Sequence, residues 1–579
     1  MKLSFRFPPT PASEATRARR RRSLLLAVVL VSVLPLAWRG TSCGQDFDFH
    51  LQNWLEVVAH WREGVFHPHW AGTANFLAGE PRFVFYPPLS WILGGLLGVL
   101  MPWSWTPLAF TVIALLGAGF SLRAMAREWI PQDNATIAAC LYVVNPYMLF
   151  VAYERGAMAE LLAATWIPLL VLFGLRRRPS LLPLALTVAA IWLTNAPAAV
   201  MGCYMLALLV VVGSFQQKSW RLIGRAAGAV PLGLGLAGFW LIPAVYEQRW
   251  VEILRAIGPL MRAEDSFLFG YVKASAVSAD DMSDLIYHNQ ILHTVSWIVV
   301  ALISGTVVAA WLARRKRSPL WAPLVVIGAG ICALQVRWSD WVWRIAPKLA
   351  YLQFPWRWML VLGMVFAALA GLAVSGEAAT RRAIALRAAA ILLAAAAMAA
   401  VSSVLFWQPC DEEDNVRAQI AAFHGSGFAG SDEYTPQGAD NSQVQQGAPA
   451  VVVVNAPNAE LSGAAKSAPP FPAKMDLEQW EIERKVVMVN AARPGYAILR
   501  VMDYPAWRVT RNGAEVRDRM LRSDGLMVIP LVAGANQIEV RWRRTVDRWV
   551  GTALSAAALA ITLILAWTER RKAREVPIR

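Results

Sequence analysis

Apolar runs separated by short polar segments recur along most of the chain. The runs have roughly 17–25 residues, which is long enough to cross about 30 Å of hydrocarbon as helices. The pattern predicts a mostly α-helical, polytopic membrane protein. Thirteen candidate segments lie near residues 23–38, 88–102, 106–125, 134–152, 158–175, 181–194, 196–214, 223–245, 291–313, 318–336, 358–376, 384–407 and 548–567.

Residues 408–547, which precede the last apolar run, follow a different pattern. Up to about Lys474 this insert is rich in Gly, Ala, Ser, Pro and Asn. Beyond it, polar and apolar residues alternate as in half-buried strands, for example from Trp480 to Glu483. Asn512-Gly513 is a hairpin signal. The insert is therefore predicted to be a non-cytoplasmic domain with a β-sandwich, mainly in 475–545, followed by the last span, 548–567.

Composition and charge support the membrane class. Hydrophobic residues make up 57% of the chain and charged residues only 16%, whereas a soluble domain carries about 25% charged residues. The formal net charge is +16, but the basic residues lie in short clusters between apolar runs. Such clusters are typical of cytoplasmic loops. We therefore expect membrane lipids, and no nucleic acid, as partners.

The positions of the basic clusters also predict the topology. Both chain ends are placed in the cytoplasm, which requires an even number of crossings. One of the two segments within 88–125 is therefore expected to be a half-span or an interfacial helix. The predicted parts are a cytoplasmic N-terminus (1–22) before a first span that is not cleaved, a transmembrane domain (23–407) with its first outer loop (39–87), and a cytoplasmic tail (568–579).

The non-cytoplasmic face collects nearly all ionisable and amide side chains near the span ends. Besides the first loop and the insert, it holds 153–156, 194–197, 246–290 and 337–357. Cys43 and Cys410 also lie just outside predicted spans on this face. A disulfide between them is possible, but the sequence does not favour it, because sequence separation says nothing about distance.

Two acids and a histidine stand at the start of the first outer loop, namely Asp46, Asp48 and His50. Single acids in loops are usually just solvated. Here a Phe/Trp surface adjoins them, and desolvation raises the pKa of a carboxylate toward that of a general base. We predict Asp48 and Asp46 as catalytic residues and His50 as a substrate contact.

The rest of the first loop is predicted to hold these acids near the helices. Phe47–Trp61 suits a helix along the membrane interface, with Trp54 and Trp61 as anchors. Tyr86-Pro-Pro imposes an extended, rigid backbone on the start of the next segment. Tyr86 is also among the residues predicted to contact the substrate.

Glu154, Arg155 and Glu160 lie in the predicted turn after the segment near 134–152. One interpretation is an internal salt bridge between the arginine and a glutamate. The other is a guanidinium that clamps a phosphate. Both can hold at once, and all three residues are predicted substrate contacts.

Two more outer segments carry polar side chains. Gln353, Trp356 and Arg357 precede a span. The arginine is either an anchor in the aromatic belt or a ligand of a lipid phosphate, with an indole covering the lipid or sugar. Asn195 lies in the turn 194–197 and is predicted as another substrate contact.

Several motifs in fixed order resemble a known family. They are an Asp-bearing first loop, a run from Trp70 to Tyr86-Pro-Pro, Arg155-Gly-Ala-Met-Ala-Glu160, Gln353-Phe-Pro-Trp-Arg357, and Tyr504-Pro-Ala-Trp-Arg-Val509 before the last span. The chain is similar over nearly its whole length to bacterial membrane proteins labelled "6-pyruvoyl-tetrahydropterin synthase-related". These belong with the GT-C-type glycosyltransferases, which use polyprenyl-phosphate sugars. The label is a poor guide to chemistry, because the sequence lacks the zinc-binding histidine set that pterin synthesis requires.

This resemblance implies a GT-C-like transmembrane domain in a bacterial inner membrane. It implies transfer of a sugar from a polyprenyl-phosphate donor to an envelope glycan, lipid or protein on the outer face. It also gives the role of base, or of orienting the acceptor, to an Asp of the first outer loop. Asp48 is slightly favoured over Asp46 here, because it lies two residues before His50 at the start of the predicted helix.

The sequence departs from the family pattern at two positions, and metal use stays open. His67 stands where an aromatic residue commonly precedes Pro68, and Asn195 where a histidine is common. A metal-binding role is therefore not carried over to them. Carboxylates and a phosphate could hold Mg²⁺ or Mn²⁺, and related enzymes differ in whether they need one.

Two other function classes compete with the enzyme. A transporter or flippase of lipid-linked sugars predicts polar residues at mid-span and broken helices, whereas mid-span stretches such as Ala388–Ala400 are nearly featureless. A non-catalytic scaffold would bind envelope glycan through the β-domain. Substitution of Asp46 and Asp48 separates these classes, because only the enzyme needs the carboxylates.

Overall fold

The computed structural model describes residues 11–176, 180–278, 282–375, 381–459, 461 and 471–575. Outside these residues lie the start of the predicted cytoplasmic N-terminus, residue 376 of one apolar segment, part of the Gly- and Ala-rich stretch of the insert, and the end of the predicted tail. Two compact units are present. Unit 1 comprises Met1–Phe47, Pro107–Pro231 and Pro259–Cys410, and unit 2 comprises Asp48–Thr106, Leu232–Gly258 and Asp411–Arg579.

Helices dominate the described chain. In chain order they are α1 (Pro11–Arg39), α2 (Phe47–Arg62), α3 (Ala74–Leu77), α4 (Arg82–Phe85), α5 (Pro88–Leu100), α6 (Thr106–Ala126), α7 (Gln132–Val143), α8 (Pro146–Tyr153), α9 (Met158–Ala163), α10 (Trp166–Leu175), α11 (Leu182–Trp192), α12 (Ala196–Gln217), α13 (Arg221–Leu236), α14 (Gly238–Tyr246), α15 (Met282–Ala313), α16 (Trp321–Ala333), α17 (Asp340–Ile345), α18 (Met359–Ala373), α19 (Arg381–Leu405), α20 (Val416–His424) and α21 (Val546–Glu575). Short 3₁₀ turns connect several of them.

The helices confirm the predicted fold class, with fewer full spans than the thirteen apolar segments. Within the described ranges, eight helices are long and apolar enough to cross a membrane, or up to eleven spans if three bent helix pairs each count as one. The segments near 88–102 and 181–194 form only α5 and α11, of 13 and 11 residues. At 1.5 Å per residue they extend about 20 and 17 Å, less than the roughly 30 Å of a bilayer core.

The sequence Asn145-Pro146 explains one of the bent pairs. Helices α7 and α8 meet at an angle of 41°. The Asn145 side chain accepts hydrogen bonds from the backbone N–H groups of Tyr147 and Met148, both at 3.1 Å. Pro146, which lacks an N–H, occupies the first turn of α8, where no intrahelical donor is needed. A new helix therefore begins here and ends at Tyr153.

Unit 1 contains a disulfide between Cys43 and Cys410. The sequence did not favour this pair. The expectation was wrong because the fold brings the two Cα atoms to 4.9 Å across 367 positions of chain. The backbone N–H of Cys43 also donates to the Gln408 carbonyl at 3.1 Å. The segment after α1 is thus tied to the segment after α19.

Unit 2 contains the predicted β-structure as two antiparallel sheets. The strands are β1 (Val451–Val454), β2 (Ala473–Trp480), β3 (Arg484–Ala491), β4 (Gly495–Met502), β5 (Trp507–Arg511), β6 (Ala514–Glu515), β7 (Leu526–Leu531) and β8 (Gly534–Trp542). The strand order is β1-β4-β7 in the first sheet and β2-β3-β8-β5-β6 in the second. Apolar side chains of both sheets form one buried core, as in a sandwich.

Two local predictions for the sandwich had different outcomes. The Asn512-Gly513 hairpin is present between β5 and β6, and φ is +51° and +81° at the two residues, as a type I′ turn requires. The predicted strand from Trp480 to Glu483 is wrong, because β2 ends at Trp480. The Lys485 ammonium donates to the Glu481 and Ile482 carbonyls at 2.9 and 2.8 Å and stabilises a turn there.

Helix α2 forms where the first-loop helix was predicted, but Trp54 does not anchor it in lipid. The Trp54 side chain is buried within unit 2. It packs so closely on Gly94 of α5 that a Cβ at that position would lie 2.1 Å from the indole nitrogen. The absence of a side chain at Gly94 leaves the space that the Trp54 indole occupies, and the sequence of α2 alone does not predict this contact.

Candidate active site

The turn that follows α8 binds the segment that follows α1, within unit 1. The backbone N–H groups of Gln45 and Asp46 donate to the carbonyls of Glu154 and Arg155, at 3.1 and 2.7 Å. Gly44 permits this approach, because a Cβ there would lie 2.2 Å from the Glu154 carbonyl oxygen. The Asp46 side chain is therefore positioned by main-chain contacts on the turn that carries Arg155.

The side chains at this turn form a compact ionic cluster. Arg155 contacts two acids, with its Nη2 atom 2.8 Å from Asp46 Oδ2 and its Nη1 atom 3.2 Å from Glu160 Oε2. Arg357 Nε lies 3.6 Å from the same Glu160 oxygen. The Tyr147 hydroxyl donates to the other Glu160 oxygen at 2.6 Å. The four charged groups balance, with two carboxylates and two guanidinium groups.

Only one of these charged groups reaches solvent to a substantial degree. The Asp46 side chain is 35% exposed, whereas that of Arg155 is 2% exposed and that of Glu160 is 5% exposed. Burial by itself lowers the pKa of Arg155, but the Asp46 and Glu160 carboxylates outweigh it and raise that pKa. The guanidinium is therefore a fixed positive charge that orients the accessible carboxylate of Asp46.

Aromatic rings enclose the two arginines. The Arg155 guanidinium lies over the Trp356 ring at 5.1 Å, and that of Arg357 over the Phe354 ring at 5.1 Å. The Phe354 and Trp356 rings stack at 4.7 Å. Gln353 has φ of +65°, which is uncommon for a residue with a side chain, and it directs the chain into the 3₁₀ turn Pro355–Trp358. These contacts keep water from the guanidinium faces.

Glu154 belongs to a neighbouring hydrogen-bond group in unit 1. The Gln408 amide donates to its Oε2 atom at 2.7 Å, and the Tyr287 hydroxyl donates to Oε1 at 3.1 Å. Burial raises the pKa of the Glu154 carboxyl, and these two hydrogen bonds oppose that rise. The side chain points to partners other than Arg155 and connects the turn to α15 and to the disulfide segment.

Asn195 has a structural contact of its own. Its side-chain oxygen accepts a hydrogen bond from the Ala198 backbone N–H at 2.9 Å and caps α12. Capping by asparagine typically contributes about 1 kcal/mol to helix stability. A substrate contact at Asn195 stays a prediction.

The remaining predicted residues, Asp48, His50 and Tyr86, lie in unit 2. Asp48 lies in the first turn of α2, and its Oδ1 atom accepts a hydrogen bond from the Phe49 backbone N–H at 2.7 Å. The His50 and Phe49 rings both meet Tyr86 edge to face, at 5.9 and 5.0 Å. The Arg82 guanidinium covers the Phe49 ring at 4.5 Å. An acid, two aromatic side chains and a histidine thus adjoin one another at the start of α2.

The structure adds three residues that sequence reasoning missed, namely Tyr147, Tyr287 and Gln408. Tyr147 follows the Asn145-Pro146 helix start, a signal that places it in the first turn of α8. Nothing near Tyr287 or Gln408 in the sequence points to Glu154, because these contacts span 133 and 254 positions of chain. They depend on how the helices pack.

The acids of unit 1 do not form a ready metal site. Asp46, Glu154 and Glu160 each have protein partners, as described above. Within the described part of the chain, none of the three belongs to a group of at least three His, Cys, Asp or Glu ligands close enough to share an ion. These three carboxylates alone therefore do not form a binding site for Mg²⁺ or Mn²⁺, and we assign no step of the reaction to a metal ion.

Comparison with known proteins gives one family match. The model of the family described as "6-pyruvoyl-tetrahydropterin synthase related domain; membrane protein" matches residues 83–409. The match includes the turn 153–156 and the segment 353–357, which carry most of the cluster. No curated protein matches the chain.

Five chains of solved structures resemble this chain in fold. Arabinofuranosyltransferase AftD from Mycobacteria is 16% identical, with a TM-score of 0.43, over 91% of this chain and 40% of that chain. The oligosaccharyltransferase of Archaeoglobus fulgidus in the apo form is 11% identical, with a TM-score of 0.40, over 72% of this chain and 61% of that chain. The chain thus spans about two-fifths of the length of the mycobacterial protein.

Proposed function

The chain belongs to the family of membrane proteins described as related to 6-pyruvoyl-tetrahydropterin synthase, and we propose that it is a glycosyltransferase. It moves a sugar from a polyprenyl-phosphate donor to an envelope glycan, lipid or protein acceptor. The observation that carries the proposal is the accessible Asp46 carboxylate, held at 2.8 Å by the buried guanidinium of Arg155. A carboxylate with a fixed cation beside it supplies both charges that the reaction needs.

The proposed reaction is an inverting displacement at the anomeric carbon. Asp46 takes the proton of the acceptor hydroxyl, and the acceptor oxygen forms a bond to the anomeric carbon. The bond from that carbon to the phosphate oxygen breaks, and its electron pair leaves with the lipid phosphate. A positioned base typically contributes about 10²–10⁴-fold to such a step.

Arg155 serves both halves of this reaction. In this structure its Nη2 atom donates a hydrogen bond to Asp46 Oδ2. A donor phosphate whose oxygen replaces Asp46 on that nitrogen releases the carboxylate to act as a base. The same guanidinium then stabilises the growing charge on the leaving phosphate, which is the interaction for which arginine is suited. Arg357 keeps Glu160 neutralised while the exchange occurs.

We place this chemistry on the non-cytoplasmic side of a bacterial inner membrane. The Cys43–Cys410 disulfide lies three residues from Asp46, and disulfides persist in oxidising compartments such as the periplasm. The basic clusters between apolar runs favour the opposite side. Together they support cytoplasmic termini and an outward-facing Asp46.

Cysteine labelling tests this orientation. In a variant whose three free cysteines, Cys140, Cys203 and Cys332, are replaced by serine, we expect a Lys348→Cys side chain to react with a membrane-impermeant maleimide in intact cells. The matched Arg315→Cys variant should react only after permeabilisation. Both positions are exposed. Labelling of both from the same side would contradict the proposed topology.

A deletion strain tests the function itself. We expect it to lose one envelope glycan modification and to accumulate the corresponding lipid-linked sugar on the outer face of the inner membrane, because the donor still arrives but is not consumed. The wild-type chain should restore the modification and the Asp46→Asn chain should not. Accumulation on the cytoplasmic face would indicate a flippase, and restoration by a chain with both Asp46→Asn and Asp48→Asn would indicate a scaffold.

A further inference from the structure

Unit 2 contains a cavity of about 380 Å³ that the proposed reaction does not use. This volume is within the range of roughly 300–1,000 Å³ typical of ligand pockets. The first outer loop, α4, α14 and the junction between β8 and α21 surround it. The lining residues are His67, His69, Phe83, Val84, Phe239, Trp240, Pro243, Trp542, Arg544, Arg548 and Thr552.

Four of the lining side chains carry a buried nitrogen without a hydrogen-bond partner among the described residues. These atoms are His67 Nε2, Trp240 Nε1, Trp542 Nε1 and Arg548 Nη1. Indole and guanidinium nitrogens only donate hydrogen bonds. A buried donor that is left without an acceptor destabilises the fold, so the donor groups of Trp240, Trp542 and Arg548 favour an occupant rich in hydrogen-bond acceptors.

The lining carries positive charge and no acid, as far as the described residues go. Glu247 accepts hydrogen bonds from Nε and Nη2 of Arg548 at 2.9 and 3.0 Å, which orients this guanidinium and leaves Nη1 without a partner. Arg544 is exposed and donates to Thr552 at 2.6 Å. Since Glu247 balances Arg548, the remaining charge comes from Arg544 at the exposed side.

The two histidines present neutral rings. Burial, together with the nearby His69 and Arg548, lowers the pKa of His67 to about 3, and burial with Arg548 lowers the pKa of His69. The His69 ring stacks on Trp542 at 5.9 Å, and the His67 ring meets Phe239 edge to face at 5.5 Å. A ring-shaped ligand thus meets aromatic walls as well as donors.

We infer that this cavity binds an anionic saccharide, that is, a sugar ring bearing a phosphate or carboxylate group. Its anionic oxygens accept from the nitrogens of Arg548, Trp240 and Trp542 and from His67, whose neutral ring donates through Nε2 in one of its two tautomers, and its ring packs on the aromatic walls. The ligand is either a soluble sugar acid or phosphate, or the headgroup of a lipid-linked one. This site does not depend on the proposed glycosyl transfer.

Titration calorimetry of the full chain in detergent tests the inference. Glucose 1-phosphate and glucuronate are the probes, and glucose is the neutral comparison. We expect the anionic sugars to bind and the Trp542→Phe and His67→Phe variants to bind them about tenfold more weakly, since each loses one hydrogen bond to a charged group. The control is Trp567→Phe, whose exposed indole lies near the end of α21 and which should bind like the wild type.

The outcomes are distinct. Competition by phosphatidylcholine vesicles that contain undecaprenyl phosphate assigns the site to a lipid headgroup, and lack of competition assigns it to a soluble sugar. Both results support the inference. It is overturned if no anionic sugar binds, if glucose binds equally well, or if both folded variants bind as tightly as Trp567→Phe. Because turnover is not measured, failure here leaves the proposed function untouched.

Discussion

We expect the Asp46→Asn variant to transfer sugar about 10²–10⁴-fold more slowly than the wild type. The amide is nearly isosteric and still accepts a hydrogen bond from Arg155 Nη2, so the turn 153–156 should keep its structure. It cannot accept the proton of the acceptor hydroxyl. The measurement is the initial rate of sugar transfer from a polyprenyl-phosphate donor by purified protein, with kcat and KM determined separately.

The matched control for this variant is Asp48→Asn, two positions along the chain. Asp48 accepts a hydrogen bond from its own neighbour at the start of α2, so its loss should cost a few tenths of a kcal/mol in helix stability and change kcat little. Its position two residues before His50 slightly favoured Asp48 over Asp46 as the base in the sequence. A rate that collapses in Asp48→Asn and persists in Asp46→Asn would return that role to Asp48.

We expect the Arg155→Gln variant to lose about 3–5 kcal/mol of unfolding free energy. Removal of the guanidinium leaves the buried Glu160 carboxylate with Arg357 and Tyr147 only, and Asp46 without its partner. Breaking a buried pair on one side is costly because the remaining charge stays desolvated. The measurement is unfolding in mixed detergent and SDS micelles, compared with the wild type.

Two controls separate this effect from the loss of any arginine. Arg344 pairs with Glu264 and Asp340 at 2.9 and 2.7 Å but is 66% exposed, so Arg344→Gln should cost at most about 1 kcal/mol. The Arg155→Gln/Glu160→Gln double variant should recover part of the stability, because it removes the buried Glu160 carboxylate that the single variant leaves without Arg155. If Arg155→Gln and Arg344→Gln lose equal amounts of unfolding free energy, the ion pairs of Arg155 contribute no more to stability than those of a surface arginine.

Much of the architecture could be read from the chain because its signals are local. Apolar run length is set by bilayer thickness, which is why Thr106–Ala126 and Ala196–Gln217 are candidate spans where the pattern predicted them. The Asn512-Gly513 turn needs only two residues with positive φ. Local signals gave a wrong prediction where the environment of a side chain depends on a neighbouring helix. Trp54 was predicted to anchor in lipid, but it packs against Gly94 within unit 2.

The candidate site likewise has features that local sequence shows and features that depend on tertiary contacts. The sequence by itself determined which residues carry charge near the ends of the apolar segments, among them Arg155, Glu160 and Arg357, because a charge in an apolar chain is visible in the chain alone. Only the tertiary structure decided that Asp46 is the partner of Arg155, that Cys43 pairs with Cys410, and that four buried nitrogens without a hydrogen-bond partner among the described residues line one cavity. Such pairings depend on distances of a few ångströms between segments that lie up to hundreds of residues apart, and no local pattern encodes them.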